Sequence, residues 1–371
     1  MSRAQLTSTV EQNTGGAVAP FVAGKNRIAN GSFEIDQRNS GASQSISSYG
    51  YGLDRWGYQC YTSGIFTSQQ TTSVPNGNLT KSLGLTVTTA DTSGISTHVY
   101  QLFQKIEGNN VFDLGFGTSN AQTITISFWA KASLTGSYAV SVQNNAFNRG
   151  YVTTFTISSA NTWQYITLTI PSDTSGTWTT DTTIGLQLAF DLGSGSGSNY
   201  TANAWTNTTT SSMRTSSTVN WIGTTGATFN IAGVQLEKGS VATPFSRAGG
   251  TLQGELALCQ RYYWRSNGVL GTAGHPIICA TQSSASAYCY APFPVTMRVA
   301  PVSIDYANVR LVNYGVAAYS ITSLNLSGGG ESSPSVGVFT ADGASGMTAN
   351  RPVFLYGSTG TPNYIGFSAE L

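Results

Sequence analysis

The stretch "TITISFWAK", residues 123–131, alternates apolar and polar side chains without a break. Ile124, Ile126, Phe128 and Ala130 share one parity; Thr123, Thr125, Ser127, Trp129 and Lys131 share the other. A repeat of two is what an extended chain needs to bury one face. A helix cannot use it, because its successive side chains turn by about 100°. The same pattern returns in "WQYITLTI", which sets Ile166, Leu168 and Ile170 against Trp163, Tyr165, Thr167 and Thr169. "IGLQLAF" (184–190) and "LGLTV" (83–87) repeat it again. Short alternating strands separated by Gly, Asn, Asp and Ser predict antiparallel sheets packed as a sandwich or jelly roll.

The pattern divides the chain. Residues 1–25, "MSRAQLTSTVEQNTGGAVAPFVAGK", carry no periodicity and several breakers, and read as either a disordered arm or an extended one that orders against a partner. They also lack the charged-then-apolar layout of a secretory signal. Residues 26–247 read as the β-sandwich. The stretch "FNIAGVQLEKGSVATPFSR" closes it: Phe229 and Ile231 share a face, Val234 and Leu236 have the opposite parity, and Gly233 stands at the phase change. A one-residue phase change at a glycine predicts a β-bulge in a last strand, with a linker after it. Residues 248–265 read as linker and helix, with Thr251 as N-cap and Leu252, Leu256, Cys259 and Tyr263 as an apolar stripe; Gly254 weakens it. Residues 266–371 read as a second, smaller β-sandwich. In it "PVSIDY" and "YIGFSAEL" alternate, "VTMRVA" between prolines suggests an edge or bulged strand, and "LNLSGGGESSPS" suggests a loop. The fold class is therefore all-β. The polar segment "DLGSGSGSNYTANAWTNTTTSS" reads as a long loop whose Tyr200 and Trp205 need a surface to lie on.

Composition narrows the function. Charged residues are 9% of the chain, against about 25% in ordinary domains. Net charge is +1 and there is no basic run, so a nucleic-acid partner is not expected. No apolar run approaches the roughly 20 residues that span a bilayer, so no membrane insertion is expected. Cys60, Cys259, Cys279 and Cys289 show no CxxC and read as small buried apolar residues, with a Cys279–Cys289 bridge the weaker alternative.

Catalytic constellations are not evident. Glu34 and Asp36 in "FEID" have no second carboxylate-bearing strand to face and read as a hydrogen-bonded turn or surface pair. His98 and His275 lack metal spacing, no GxSxG occurs, and "GSGSGS" lacks the lysine of a phosphate loop. No enzyme activity, metal or cofactor is expected. In "LDRW", Asp54 and Arg55 read as ties for a turn that sends Trp56 into the core. The outward aromatics are the candidate site. Trp129, Trp163 and Tyr165, with Tyr200 and Trp205 from the loop, could stack sugar rings, or bury against another subunit.

"NRIANGSFEIDQRNSG", "YGLDRW", "ISFWAKAS", "GVQLEKGSVATPF", "ELALCQRYYWRS" and "PVTMRVAP", in that order, resemble bacteriophage tail-fibre and virion fibre proteins with a carbohydrate-binding-module-like jelly roll. The resemblance runs from Asn26 to about Pro301. It implies a homotrimeric virion component, anchored to other virion proteins through residues 1–25 and concerned with attachment to host surface polysaccharide. It also implies a structural calcium held by Glu34 and an Asp in the last strand. That strand reads Ile231-Ala232-Gly233-Val234 here, so no calcium is expected. A head-decoration or tail-architecture protein and a polysaccharide depolymerase are the alternative readings.

Overall fold

The computed structural model describes residues 24–268, 274–313, 317–327, 330–358 and 363–371. All but the last two residues of the expected arm lie outside them. Thirteen strands build the first unit: β1 (Gln44–Ile46), β2 (Gly50–Tyr51), β3 (Gly57–Gln59), β4 (Ile65–Thr71), β5 (Ser82–Thr89), β6 (Gln101–Glu107), β7 (Ile124–Ala132), β8 (Gly136–Gln143), β9 (Arg149–Ile157), β10 (Gln164–Ile170), β11 (Ile184–Asp191), β12 (Ala204–Asn207) and β13 (Thr228–Lys238). They form a six-stranded sheet, β1-β4-β5-β13-β7-β10, and a seven-stranded sheet, β12-β9-β8-β11-β6-β3-β2. Every strand pairing in them is antiparallel. The rows expected to face inward do so: Ile124, Ile126, Phe128 and Ala130 are fully buried, with Leu83, Leu85, Leu186, Leu188 and Phe190. Trp56 stacks on Phe33 with ring centroids 5.0 Å apart and donates its Nε1–H to the Asn30 carbonyl.

The bulge is where the phase change put it. Along β7 the partner of β13 steps two residues, Trp129 to Ser127, while β13 steps three, Ala232 to Gln235. Gly233 absorbs the extra residue at φ +59, a conformation that costs a residue with a Cβ about 1–2 kcal/mol. The shift keeps Phe229, Ile231, Val234 and Leu236 all in the core. The segment after β13 does not leave as a simple linker. It folds back over the outer face of β7 and β13, where Thr243 donates to Glu237 and Ser246 to Gln235. Thr125 and Ser127, of outward parity, are buried beneath it.

The helix, α1 (Leu252–Gln260), starts at the expected cap: the Thr251 hydroxyl accepts from the Gly254 amide at 3.0 Å. It is shorter than its sequence suggests, and the apolar stripe is its buried face only in part. Leu252 is exposed, Tyr263 already belongs to the next strand, and the buried residues are Glu255 and Cys259. Glu255 accepts from the Gly249 and Asn30 amides, which ties the helix to the first unit. Gly254 is required there, since a Cβ would sit 2.2 Å from the Gly249 carbonyl oxygen.

The second unit starts at Tyr263, not 266. It comprises β14 (Tyr263–Gly268), β15 (Gly274–Thr281), β16 (Ser286–Pro292), β17 (Ser303–Ala307), β18 (Val309–Asn313), β19 (Ala317–Ser320), β20 (Ser323–Leu326), β21 (Val336–Asp342), β22 (Pro352–Gly357) and β23 (Asn363–Ser368). A sheet β14-β23-β17 packs on a sheet β19-β18-β22-β15-β16-β21-β20 around Trp264, Leu311, Phe339, Leu355 and Phe367. Two local expectations fail here. "VTMRVA" is irregular chain rather than a strand, and "LNL" at 324–326 is strand rather than loop. Cys279 and Cys289, directly paired on β15 and β16, form a disulfide; Cys60 and Cys259 are free and buried as expected. A cross-strand pair on adjacent strands brings the two Cα atoms to 4.0 Å, a proximity that a ten-residue spacing alone does not reveal.

A polar seam joins the units. Arg55, 2% exposed, pairs with Glu370, which also accepts from Arg38 at 3.1 Å. The Arg55 guanidinium lies 3.4 Å from the Tyr262 ring centroid and that of Arg38 lies 3.6 Å from Tyr263. Arg261 makes two 2.8 Å bonds to the buried Glu107. "LDRW" is thus a core-and-turn element: Trp56 is buried, and Asp54 accepts from the backbone and side chain of Gln37. Burial pushes the Asp54 carboxyl up to about 6.

Candidate binding groove

Strand register decides which candidate aromatics meet. Tyr165 of β10 is paired with Trp129 of β7, and both have outward parity. Their ring centroids are 5.1 Å apart with the planes inclined at 49°. Tyr165 is 47% exposed and Trp129 half-buried. Trp163 continues the row, with the Lys131 ammonium 5.1 Å from its ring.

The rings form one wall of a groove of about 510 Å³. Its floor is Ser127 and the bulge glycine, Gly233. Its rims are Asn76, Asn78 and Leu79 from the β4–β5 loop and Pro244 to Arg247 from the folded-back segment. Ser32 and Glu34 close one end. Flat rings beside amide and hydroxyl groups are the elements that hold a sugar: the rings take its C–H face and the polar groups its hydroxyls.

The carboxylate at that end is engaged. Glu34 accepts from Arg247 Nε at 2.6 Å and Nη2 at 2.8 Å, from Ser32 at 2.7 Å and from Thr80 at 2.9 Å. Burial opposes its ionisation, but these hydrogen bonds and the guanidinium charge outweigh it and hold the carboxyl below its ordinary range. Asp36 caps the turn that follows it by accepting from the Asn39 and Gly41 amides, so "FEID" is irregular chain leading into a hydrogen-bonded turn and not a strand.

Tyr200 and Trp205 stand on the other sheet, away from the groove. The expected loop contains strand β12, which pairs with β9. Trp205 is packed by Tyr151, Phe116 and Trp178 at centroid distances of 5.2, 5.6 and 5.8 Å, and its Nε1–H is spent on the Pro171 carbonyl. Tyr200 packs beside Ala139, Val152 and Met213, and its hydroxyl accepts from the Thr209 amide. It borders an open trough of about 540 Å³ lined by Thr, Ser and Asn side chains.

One cluster has no signal in the sequence spacing. Asp91 accepts from Tyr100 at 2.6 Å and shares a 2.7 Å hydrogen bond with His98 Nδ1, whose ring stacks on Tyr61 at 4.6 Å. Ser194 borders the same 170 Å³ cavity, but its hydroxyl donates to the Tyr100 carbonyl.

No protein-family model matches the chain, and no curated protein matches it. Three of the solved structures similar to the chain illustrate the likeness. The enzymatically active domain of tailspike protein 4 of bacteriophage CBA120 shares 13% identity over 58% of this chain and 21% of that one, with a TM-score of 0.31. A putative sugar binding protein from Bacteroides thetaiotaomicron shares 13% over 58% of this chain and 100% of that one, at 0.31. The family 11 carbohydrate-binding module from Clostridium thermocellum, in complex with a mixed-linked tetrasaccharide, shares 11% over 54% of this chain and 98% of that one, at 0.28. The chain thus spans 21% of the tailspike domain's length and nearly the whole of the other two.

Proposed function

We propose that the chain is a bacteriophage fibre subunit that attaches the particle to its host by binding surface polysaccharide without cleaving it. The outward Trp129–Tyr165 pair in a groove of amides and hydroxyls is the observation that carries the glycan-binding half. The ordered segments from Asn26 to about Pro301 support the virion half, with residues 1–25 as the anchor to other virion proteins and assembly in the host cytoplasm before release on the particle. Calorimetric titration with a panel of bacterial surface polysaccharides tests the groove: binding is expected, and Trp129→Ala with Tyr165→Ala is expected to weaken it by at least tenfold, each stacked ring contributing about 1 kcal/mol. Unchanged affinity in the double variant sinks the assignment. Polymer length is expected to stay constant on prolonged incubation; shortening would establish the depolymerase instead.

A second reading, an architectural protein with no receptor of its own, is favoured by a feature of the second unit. Ile278 and Tyr290 are directly paired on β15 and β16 and 60% and 51% exposed, an apolar patch that suits a subunit interface. Both readings have the chain as a homotrimer. Light scattering on the full chain is expected to give three chain masses, and a monomer mass overturns that part. Particles that assemble normally but fail to adsorb when Trp129 and Tyr165 are replaced separate the attachment protein from the architectural one.

A further inference from the structure

Resting on the glycan-binding reading, we infer that the groove selects an acidic polysaccharide, with Arg247 reading a sugar carboxylate. Among the residues lining the groove only Glu34 and Arg247 are charged, and they are not equivalent toward a ligand. The four hydrogen bonds that Glu34 accepts engage both of its oxygens. Arg247 spends only one edge, Nε and Nη2, on that carboxylate. Its Nη1 makes no hydrogen bond among the described residues, and the side chain is 34% exposed. The remaining fork of the guanidinium is therefore open to the groove and held in a fixed orientation by its paired edge.

A guanidinium fork matches the two oxygens of a carboxylate. The groove thus offers an anion a pair of aligned donors, and offers a sugar ring the Trp129 and Tyr165 faces. Lys131, the next outward residue after Trp129 on β7, adds a second cation to the same sheet face. Bonding to Glu34 raises the Arg247 pKa above its already high ordinary value, so the group stays charged at any working pH. A neutral polysaccharide would gain the ring contacts and leave the fork to water. A uronate gains both.

The test uses the full chain and a panel of uronate-containing polysaccharides, each before and after chemical reduction of its carboxylates to hydroxymethyl groups. Titration is expected to show binding of at least one parent polymer, weakened about tenfold or more by reduction. The variant Arg247→Lys keeps a positive charge beside Glu34 but has no second fork. It is expected to weaken binding of the parent polymer more than binding of the reduced one, so that the preference for the parent polymer shrinks about tenfold. Equal affinity for parent and reduced polymers, in a chain that Trp129→Ala and Tyr165→Ala still impair, overturns the acidic class and leaves the glycan reading standing. Binding of neither kind of polymer overturns both.

Discussion

Replacing Glu370 with Gln tests the seam between the two β units. Arg55 is 2% exposed and the Glu370 side chain 6%. The guanidinium's other contacts are the Tyr262 ring face and the Lys105 carbonyl, neither of which carries an opposing charge. Glu370→Gln keeps the shape and removes the counter-charge. Arg55 cannot escape by losing its proton, so the variant leaves a buried cation without its paired carboxylate and with only the more distant Glu107 to offset it, a change that costs up to about 3–5 kcal/mol. Arg38, which shares Glu370, adds to the repulsion but is more exposed. With a urea dependence of about 2–3 kcal/mol/M, the unfolding midpoint should fall by about 1–2 M. Tryptophan fluorescence follows it, since Trp56 lies beside the seam in the first unit and Trp264 in the second. Glu34→Gln is the control. It breaks a similar arginine pair in which the arginine is 34% exposed, and solvent takes up much of the loss. If Glu370→Gln moves the midpoint no more than Glu34→Gln does, the Arg55 site is wet and the seam is not a sealed interface.

Three more outcomes follow from the same structure. Stability is expected to peak in mildly acidic solution. The Asp54 carboxyl, raised to about 6 by burial, stabilises the fold only while protonated, fully below its unfolded value of 3.8 and no longer above about 6. Glu107 is opposed by burial but held low by Arg261 and Tyr262; it stabilises above its unfolded value of 4.5, and that contribution fades as pH falls. Thermal unfolding across pH 3–8 should therefore show a maximum between about 3.8 and 4.5, followed by a decline toward pH 6, and a monotonic rise to pH 8 refutes the Asp54 assignment. Cys279→Ser with Cys289→Ser should destabilise the second unit by about 2–4 kcal/mol while sparing the first; no shift in denaturant midpoint sinks this. Gly233→Ala should cost about 1–2 kcal/mol from its φ of +59, plus a contact 3.0 Å from a Leu79 methyl carbon. A neutral Gly233→Ala would mean that the bulge relaxes.

Strands with one apolar and one more polar face announced themselves, and features made by non-local contact did not. Ile124 to Ala130 and Leu186 to Phe190 alternate because the core takes one face and polar cover the other, burying Thr125, Ser127 and Gln187 as well, so parity alone located the core. The Gly233 bulge was legible for the same reason: only an inserted residue lets Ile231 and Val234 share a face. The helix stripe misled because α1 buries a carboxylate, and Glu255 earns its place through amides of Asn30 and Gly249 that periodicity cannot register. The groove was half legible. Trp129 and Tyr165 showed as outward rings, but Asn76, Asn78, Leu79 and Arg247 come from segments brought there by tertiary folding. Trp205 looked similar in sequence and is enclosed by Tyr151, Phe116 and Trp178, whose codes give no hint that they converge.

The division of the groove between sheet and loops bears on how such a protein changes over generations. The Trp129–Tyr165 pair and the Gly233 floor belong to β7, β10 and β13, whose register is locked by the core behind them. The β4–β5 loop and the segment after β13 form the rims, and their substitution or lengthening leaves that register untouched. Selection can therefore revise which substituents a bound chain must display while the ring-stacking surface is inherited intact. A new specificity costs a rim, not a refolded scaffold.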